Sequence, residues 1–270
     1  MHPVLFKIGP IVIHTYGVMV ALGFIMGMWY SAREAERLGL DVNKILDLAF
    51  WVLIGGLIGA RLLFIITLWK DFMHYPLEML KVWKGGLVWY GGVIGGGLTA
   101  YYYIKKHNLP FWPVIDIIST AAFIGLAFGR LGCTSAGCCH GKVIPWADPK
   151  NPPWWALVFT DDRSLVPLSM RGKPLYPTQP LSSLCAFCLF SFLLVWRRYK
   201  KFDGELFSLA LIIYSVYRFL IEFLRGDKIR GFVIPGVLST SQFIGIFTFL
   251  AGIYFYWYLW NKNKKESGNG

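Results

Sequence analysis

The stretch Phe128–Lys142, FGRLGCTSAGCCHGK, sets an arginine, three cysteines and a histidine directly behind an apolar run. A guanidinium is a planar fork of donors that grips phosphate or carboxylate oxygens in pairs. Thiols and an imidazole hold metals, carry protons or form disulfides. The spacing C-x4-C-C-H is not a usual set of zinc ligands, so no metal and no cofactor is expected; a disulfide among Cys133, Cys138 and Cys139 stays open. Two more arginines, Arg61 and Arg218, stand in or at the edge of apolar runs, and so does Glu222. Glu222 follows Arg218 by four residues, which puts both on one helix face and predicts an ion pair; Tyr214 extends that face. The sequence offers Arg61 and Arg130 no such carboxylate. Guanidiniums grouped in an apolar site form a receptor for an anion, above all a phosphate. At that depth of a membrane the phosphate at hand is a lipid headgroup.

A membrane is the setting that composition demands. The chain has 270 residues, 56% hydrophobic and 17% aromatic, with mean hydropathy +0.50. Only 16% are charged, against about 25% in soluble domains. Seven apolar spans are predicted, at 11–32, 46–69, 87–104, 113–130, 180–196, 205–224 and 241–260. Each is near the length that crosses about 30 Å of hydrocarbon, and in lipid such spans must be helices. The expected fold is therefore an all-α integral membrane protein, a bundle of seven transmembrane helices. It is read as a single transmembrane domain over 1–262, with a loop cluster at about 131–179 and a disordered polar tail at 263–270. The first span reads as a retained helix: it is too long for a signal peptide, and Tyr30-Ser31-Ala32 puts a bulky residue at the −3 position.

The net charge of +12 lies mostly in the connecting segments, which suits anionic lipid surfaces. The basic residues form no single stripe, so no nucleic-acid partner is expected. Basic density in the shortest loops, Lys105-Lys106 and the RRYKK run 197–201, sets the orientation. The N-terminus is expected outside, the C-terminus in the cytoplasm and the loop cluster on the outer, periplasmic side. In that frame Arg61, Arg130 and Arg218 share one leaflet with His14, Tyr16 and Tyr90. Intramembrane polar groups face the bundle interior, so these are expected to converge on one lateral opening.

Glycines at 91, 92, 95, 96 and 97 and at 55 and 59 form small-xxx-small registers that predict close helix packing, and they leave room beside Tyr90 for a headgroup or an acyl chain. Cys185 and Cys188, a C-x-x-C in an apolar helix, read as packing residues rather than a redox pair.

Six blocks in order carry a family resemblance: IGPIVIHTYG (8–17), GGLIGARL (55–62), VWKGGLVWYGGVIGG (82–96), GRLGC…GCCHGK (129–142), YPTQ (176–179) and YRFLIEFLRGD (217–227). With these the chain resembles the bacterial prolipoprotein diacylglyceryl transferases. The resemblance implies transfer of the diacylglyceryl group of phosphatidylglycerol to the lipobox cysteine thiol of a preprolipoprotein. A thioether forms and glycerol phosphate leaves. It also implies residence in the bacterial inner membrane. The expected partners are phosphatidylglycerol, the preprolipoprotein signal peptide and membrane lipids.

By the same resemblance Arg130 matches the lipid-binding arginine and Arg218 a second one, with Glu222 its glutamate; Tyr16 matches an important tyrosine and Gly141 a signature glycine. The expected catalytic set is Arg130, Arg218, Tyr90, Tyr16 and Glu222. The expected substrate-binding set is Arg130, Arg61, His14, Gly91, Gly92, Cys133, His140, Gly141 and Gln179. Tyr90 stands where many members have histidine, and Cys133 and Cys138 where many have asparagine and glutamate. The proton acceptor for the thiol is therefore open among Tyr90, His140 and His14. Two rival classes are a transporter of anionic solutes or lipids and a membrane thiol oxidoreductase.

Overall fold

A computed structural model of the protein describes residues 3–9, 11–74, 79, 85–226, 231–234 and 237–268. Residues 10, 82–84 and 227 of the sequence blocks, and 269–270 of the tail, lie outside them. Among the described residues seven long helices carry the fold: α1 (Thr15–Arg37), α2 (Val42–Thr67), α4 (Trp89–Lys106), α5 (Phe111–Ala136), α6 (Thr178–Trp196), α7 (Glu205–Ile221) and α8 (Thr240–Gly268). A short α3 (Trp69–His74) follows α2. Six of the long helices are long and apolar enough to cross a membrane. The exception, α4, is diluted by its glycines, three consecutive tyrosines and two terminal lysines.

The structure shifts three expected boundaries. Ile11–His14 is not helical: as β2 it pairs antiparallel with β1 (Val4–Ile8), a conformation that the β-branched run Ile11-Val12-Ile13 favours. His14 therefore lies on a strand. At the other end of the site sequence, α5 continues past 130 to Ala136, which puts Cys133 on its last turn. The helix stops where Gly137 adopts φ +80°, a left-handed exit that costs glycine little. Lastly, α8 runs to Gly268, so helix covers most of the tail that its polarity marks as unstructured. An i,i+4 pair, Lys262 Nζ to Glu266 Oε1 at 3.9 Å, supports that end.

The chain forms two compact units, residues 28–118 and residues 1–27 with 119–270. In the 28–118 unit α2 and α4 pack backbone to backbone. A Cβ on Gly91 would lie 2.3 Å from Gly59 O, and one on Gly95 2.4 Å from Gly55 O. Gly91 is thus used for helix contact, the packing sense of the small-residue registers. In the other unit the core is Phe123, Leu189, Leu193, Leu206 and Ala210, from α5, α6 and α7. Ser183 Oγ donates to Ala127 O at 2.8 Å, which fixes α6 against α5.

Between α5 and α6 the segment 137–177 is irregular but ordered around its own core of Phe159, Val166 and Leu175. A two-stranded pair, β3 (Leu157–Val158) with β4 (Pro174–Leu175), braces it. A third pair, β5 (Phe232–Ile234) with β6 (Leu238–Ser239), precedes α8.

Candidate active site

Within the unit of 1–27 and 119–270, one cleft is lined by Arg130, Arg218 and Arg225 with Ser182, Tyr214, Tyr217, Leu126 and Ile221. Four local features build it. Arg130 comes from the last two turns of α5, Ser182 from the start of α6, and Tyr214, Tyr217 and Arg218 from the last two turns of α7. Arg225 follows a 3-10 turn, Glu222–Leu224, that continues α7.

Each guanidinium is held differently. Arg218 is clamped: its Nη1 donates to Glu222 Oε2 at 2.5 Å and its Nη2 to Ser241 Oγ at 2.8 Å. The expected i,i+4 ion pair is present, with the Glu222 side chain only 4% exposed. Arg225 is buried, and its main chain forms an antiparallel bridge with Gly141. Arg130 lies against the Cys139 thiol. On the tyrosine wall Tyr217 OH donates to Ser182 Oγ at 2.7 Å. The cleft thus sets three cations among apolar and hydroxyl groups, with Arg218 paired to Glu222. Grouped guanidiniums have the charge and paired donors to grip an anion with several oxygens.

Residues 138–142 fold back beside the cleft, and their backbone groups are engaged. Thr178 Oγ1 donates to Cys139 O at 2.9 Å, and Gln179 Nε2 donates to Cys138 O at 3.0 Å. Gly226 N donates to His140 O at 3.0 Å, and Lys142 N to Leu224 O at 2.8 Å. His140 is buried, with Nδ1 3.0 Å from Gly141 O. A Cβ on Gly141 would lie 2.3 Å from Tyr176 O. Gly141 and Gln179, expected at the substrate, do visible work as supports of this loop.

The loop brings together what the spacing did not suggest. The sulfurs of Cys133, Cys138 and Cys139 all lie within 4.8 Å of one another, and all five cysteines of the chain are free thiols. The Cys139 thiol is lowered from the ordinary cysteine value by the neighbouring Cys133 and Cys138 thiols, with the Arg130 and Arg225 charges adding to them. Cys138, whose Sγ donates to Cys133 O at 4.0 Å, is raised. Tyr16, in the first turn of α1, closes on the same group: a Cβ on Gly132 would sit 3.0 Å from Tyr16 Cδ2, and the three thiols and Arg130 are its electrostatic neighbours. His14 is exposed on β2.

The remaining expected residues belong to the 28–118 unit. Arg61 donates from Nε to Met79 O at 3.0 Å and from Nη1 to Gly85 O at 2.7 Å and Gly86 O at 3.1 Å. Its guanidinium also faces the rings of Phe64 and Phe72 at 5.4 and 5.7 Å. Tyr90 opens α4 and meets Trp89 edge to face at 5.4 Å. Gly92 faces Gly56 O, with 3.5 Å left for a Cβ.

Sequence reasoning missed Arg225, Tyr217 and Ser182. A signal for Arg225 was present: it follows Arg218 by seven residues, two helical turns along the same face. The break of α7 into a 3-10 turn and the bridge to Gly141 bring it inward.

The family model described as prolipoprotein diacylglyceryl transferase matches residues 3–258 of the chain. The phosphatidylglycerol--prolipoprotein diacylglyceryl transferase of Clostridium tetani is 39% identical over 254 residues, 94% of this chain and 96% of its own. The Clostridium perfringens protein named phosphatidylglycerol--prolipoprotein diacylglyceryl transferase 2 is 36% identical over 268 residues, 99% of each chain. The Bacillus licheniformis protein bearing the first of these names is 32% identical over 229 residues, 85% of this chain and 83% of its own.

Proposed function

The chain belongs to the prolipoprotein diacylglyceryl transferase family, and we infer that it is an enzyme that moves the diacylglyceryl group of phosphatidylglycerol onto the thiol of a preprolipoprotein's lipobox cysteine. The observation that carries this reading to particular residues is the cleft of Arg130, Arg218 and Arg225. The cysteine sulfur attacks the glycerol carbon next to the phosphate, and a C–S bond forms. The C–O bond to that phosphate breaks, and its electron pair leaves on glycerol phosphate. The thiol proton is given up before or during attack. The phosphate gains a second negative charge as the C–O bond breaks, so the useful help is stabilisation of that developing charge. Arg130 and Arg225 supply charge and paired donors. Arg218 adds a third guanidinium in the orientation that Glu222 and Ser241 hold. Tyr217, Ser182 and Tyr16 offer hydroxyls around the headgroup.

In this reading the protein lies in the bacterial cytoplasmic membrane as a seven-helix bundle, α4 being the seventh span, with the N-terminus outside and the C-terminus in the cytoplasm. The 137–177 segment lies on the outer side with the cleft. Gly141, His140 and Gln179 shape the cleft from behind, and Arg61 ties the segment before α4. Tyr90 orients lipid by a neutral hydrogen bond. The experiment is a transfer assay with purified protein, phosphatidylglycerol vesicles and a lipobox peptide. The expected product is a peptide heavier by one diacylglyceryl group in thioether linkage, with glycerol phosphate released in equal amount. Folded protein that gives no such product, or that modifies a serine-for-cysteine peptide equally, overturns the reading.

A further inference from the structure

The thiols of Cys133, Cys138 and Cys139 have no part in gripping the phosphate, yet the fold assembles them beside Arg130. Their sulfurs lie within 4.8 Å of one another. A tetrahedral zinc site has Zn–S bonds of about 2.3 Å, which sets its sulfurs about 3.8 Å apart. The longest separation must therefore close by only about 1 Å, within reach of thiol rotation on a fixed backbone. The backbone is fixed: Cys133 rides on α5, and Thr178 and Gln179 pin the carbonyls of Cys139 and Cys138. Cys139 itself has φ +58°, a left-handed conformation that a non-glycine residue keeps only where its surroundings impose it. Charge fits as well. Three thiolates and a divalent cation leave one net negative charge, and the Arg130 and Arg225 guanidiniums face it. Among the described residues no fourth His, Cys, Asp or Glu joins the group. His140 stays out, its Nδ1 engaged beside Gly141 O.

We propose that Cys133, Cys138 and Cys139 bind a thiophilic divalent cation of the zinc class, and that its open fourth position takes the substrate's cysteine thiol. Three protein ligands with one open position is the pattern of catalytic rather than structural zinc. The role rests on the transferase reading above; the site itself does not. Coordination deprotonates a thiol outright, so the substrate proton leaves to water as the S–metal bond forms. The bound thiolate then donates its electron pair to the glycerol carbon, and the C–O bond breaks towards glycerol phosphate beside Arg130. The thioether product, a weak ligand, leaves the cation, whose oxidation state never changes. This supplies the thiolate without a neighbouring base.

The test uses the full chain in detergent, reduced and stripped with a chelator, then titrated with Co²⁺ as a spectroscopic probe. One equivalent is expected to give sulfur-to-cobalt charge-transfer bands and the intense visible bands of a tetrahedral site. Cys139→Ser and Cys133→Ser should lose them, and the Cys185→Ser/Cys188→Ser double variant should keep them. Should the site variants fail to fold, wild-type protein decides: Zn²⁺ must protect Cys133, Cys138 and Cys139, and not Cys185, from alkylation mapped by mass spectrometry. A lipobox peptide should then raise the charge-transfer intensity by one thiolate's share, and its serine counterpart should not. Absent charge-transfer bands, bands that survive in Cys139→Ser, unprotected thiols, or no response to the cysteine peptide would each overturn the proposal. Chelated enzyme should lose about 10²- to 10⁴-fold in transfer rate, the range of a positioned proton acceptor. Undiminished transfer without metal sinks this proposal and leaves the transferase reading intact. A cobalt site that responds to peptide in a protein that transfers nothing upholds the site and counts against the transferase reading.

Discussion

Replacing Arg130 by lysine tests how the cleft holds its anion. The substitution keeps the positive charge and most of the chain length but removes the planar fork. Of the three guanidiniums, Arg218 is already paired with Glu222 at 2.5 Å and with Ser241 at 2.8 Å, whereas Arg130 lies against the Cys139 thiol. A hydrogen bond to a charged group contributes about 1.5–3 kcal/mol. Lysine cannot make the two parallel bonds of a guanidinium and forfeits at least one of them. At about 1.36 kcal/mol per decade of rate, one lost bond means a loss of about 10- to 150-fold. Arg130→Ala loses the charge as well and should fall at or beyond the upper end of that range. The assay is diacylglyceryl transfer at saturating phosphatidylglycerol, so that weaker lipid binding is overcome and the chemical step is read. A lysine variant within a few-fold of wild type would refute paired recognition by Arg130 and reduce its role to that of a point charge.

Glu222→Gln should lower thermal stability in detergent, because breaking one side of a buried ion pair costs about 3–5 kcal/mol and the Glu222 side chain is only 4% exposed; phosphatidylglycerol should restore part of the loss, and equal rescue by a zwitterionic lipid would count against an anion site at Arg218. Gly141→Ala should cost at least about 1–3 kcal/mol by overpacking, since its Cβ would stand 2.3 Å from Tyr176 O, whereas Gly97→Ala, with nothing within 4 Å of its Cβ, should be silent; melting curves of the two variants side by side decide this. Tyr90→Phe should lose no more than about tenfold in transfer rate, the size of one neutral hydrogen bond; a loss of about 10²-fold or more would mark the hydroxyl as a proton acceptor.

How much of this could be read from the chain depended on whether the cause was local. A span's hydropathy and an i,i+4 spacing are properties of neighbouring residues, so the helices and the Arg218–Glu222 pair were legible without a fold. The small-residue registers announced close helix packing, because only glycines let two helix backbones come so close, but that α2 and α4 are the partners came from the fold. Near Ile11 the same local logic failed: its hydropathy suits a helix or a strand equally, and pairing with Val4–Ile8 decided for the strand. The site depended still more on the fold. Arg61, equal to Arg130 by sequence, proved to be engaged by the carbonyls of Met79, Gly85 and Gly86. Arg225, absent from the expected site, turned inward into the cleft. The three thiols looked wrongly spaced for a common centre until the end of α5 at Ala136 and the left-handed Cys139 folded 138–139 back on Cys133. Sequence alone determined where the long apolar helices lie and which polar residues stand among apolar ones, because those follow from residue type and period, though not where each helix begins and ends. Only the tertiary structure decided which of these residues meet, because contacts between distant segments depend on where helices end, how loops turn and which carbonyls claim each guanidinium.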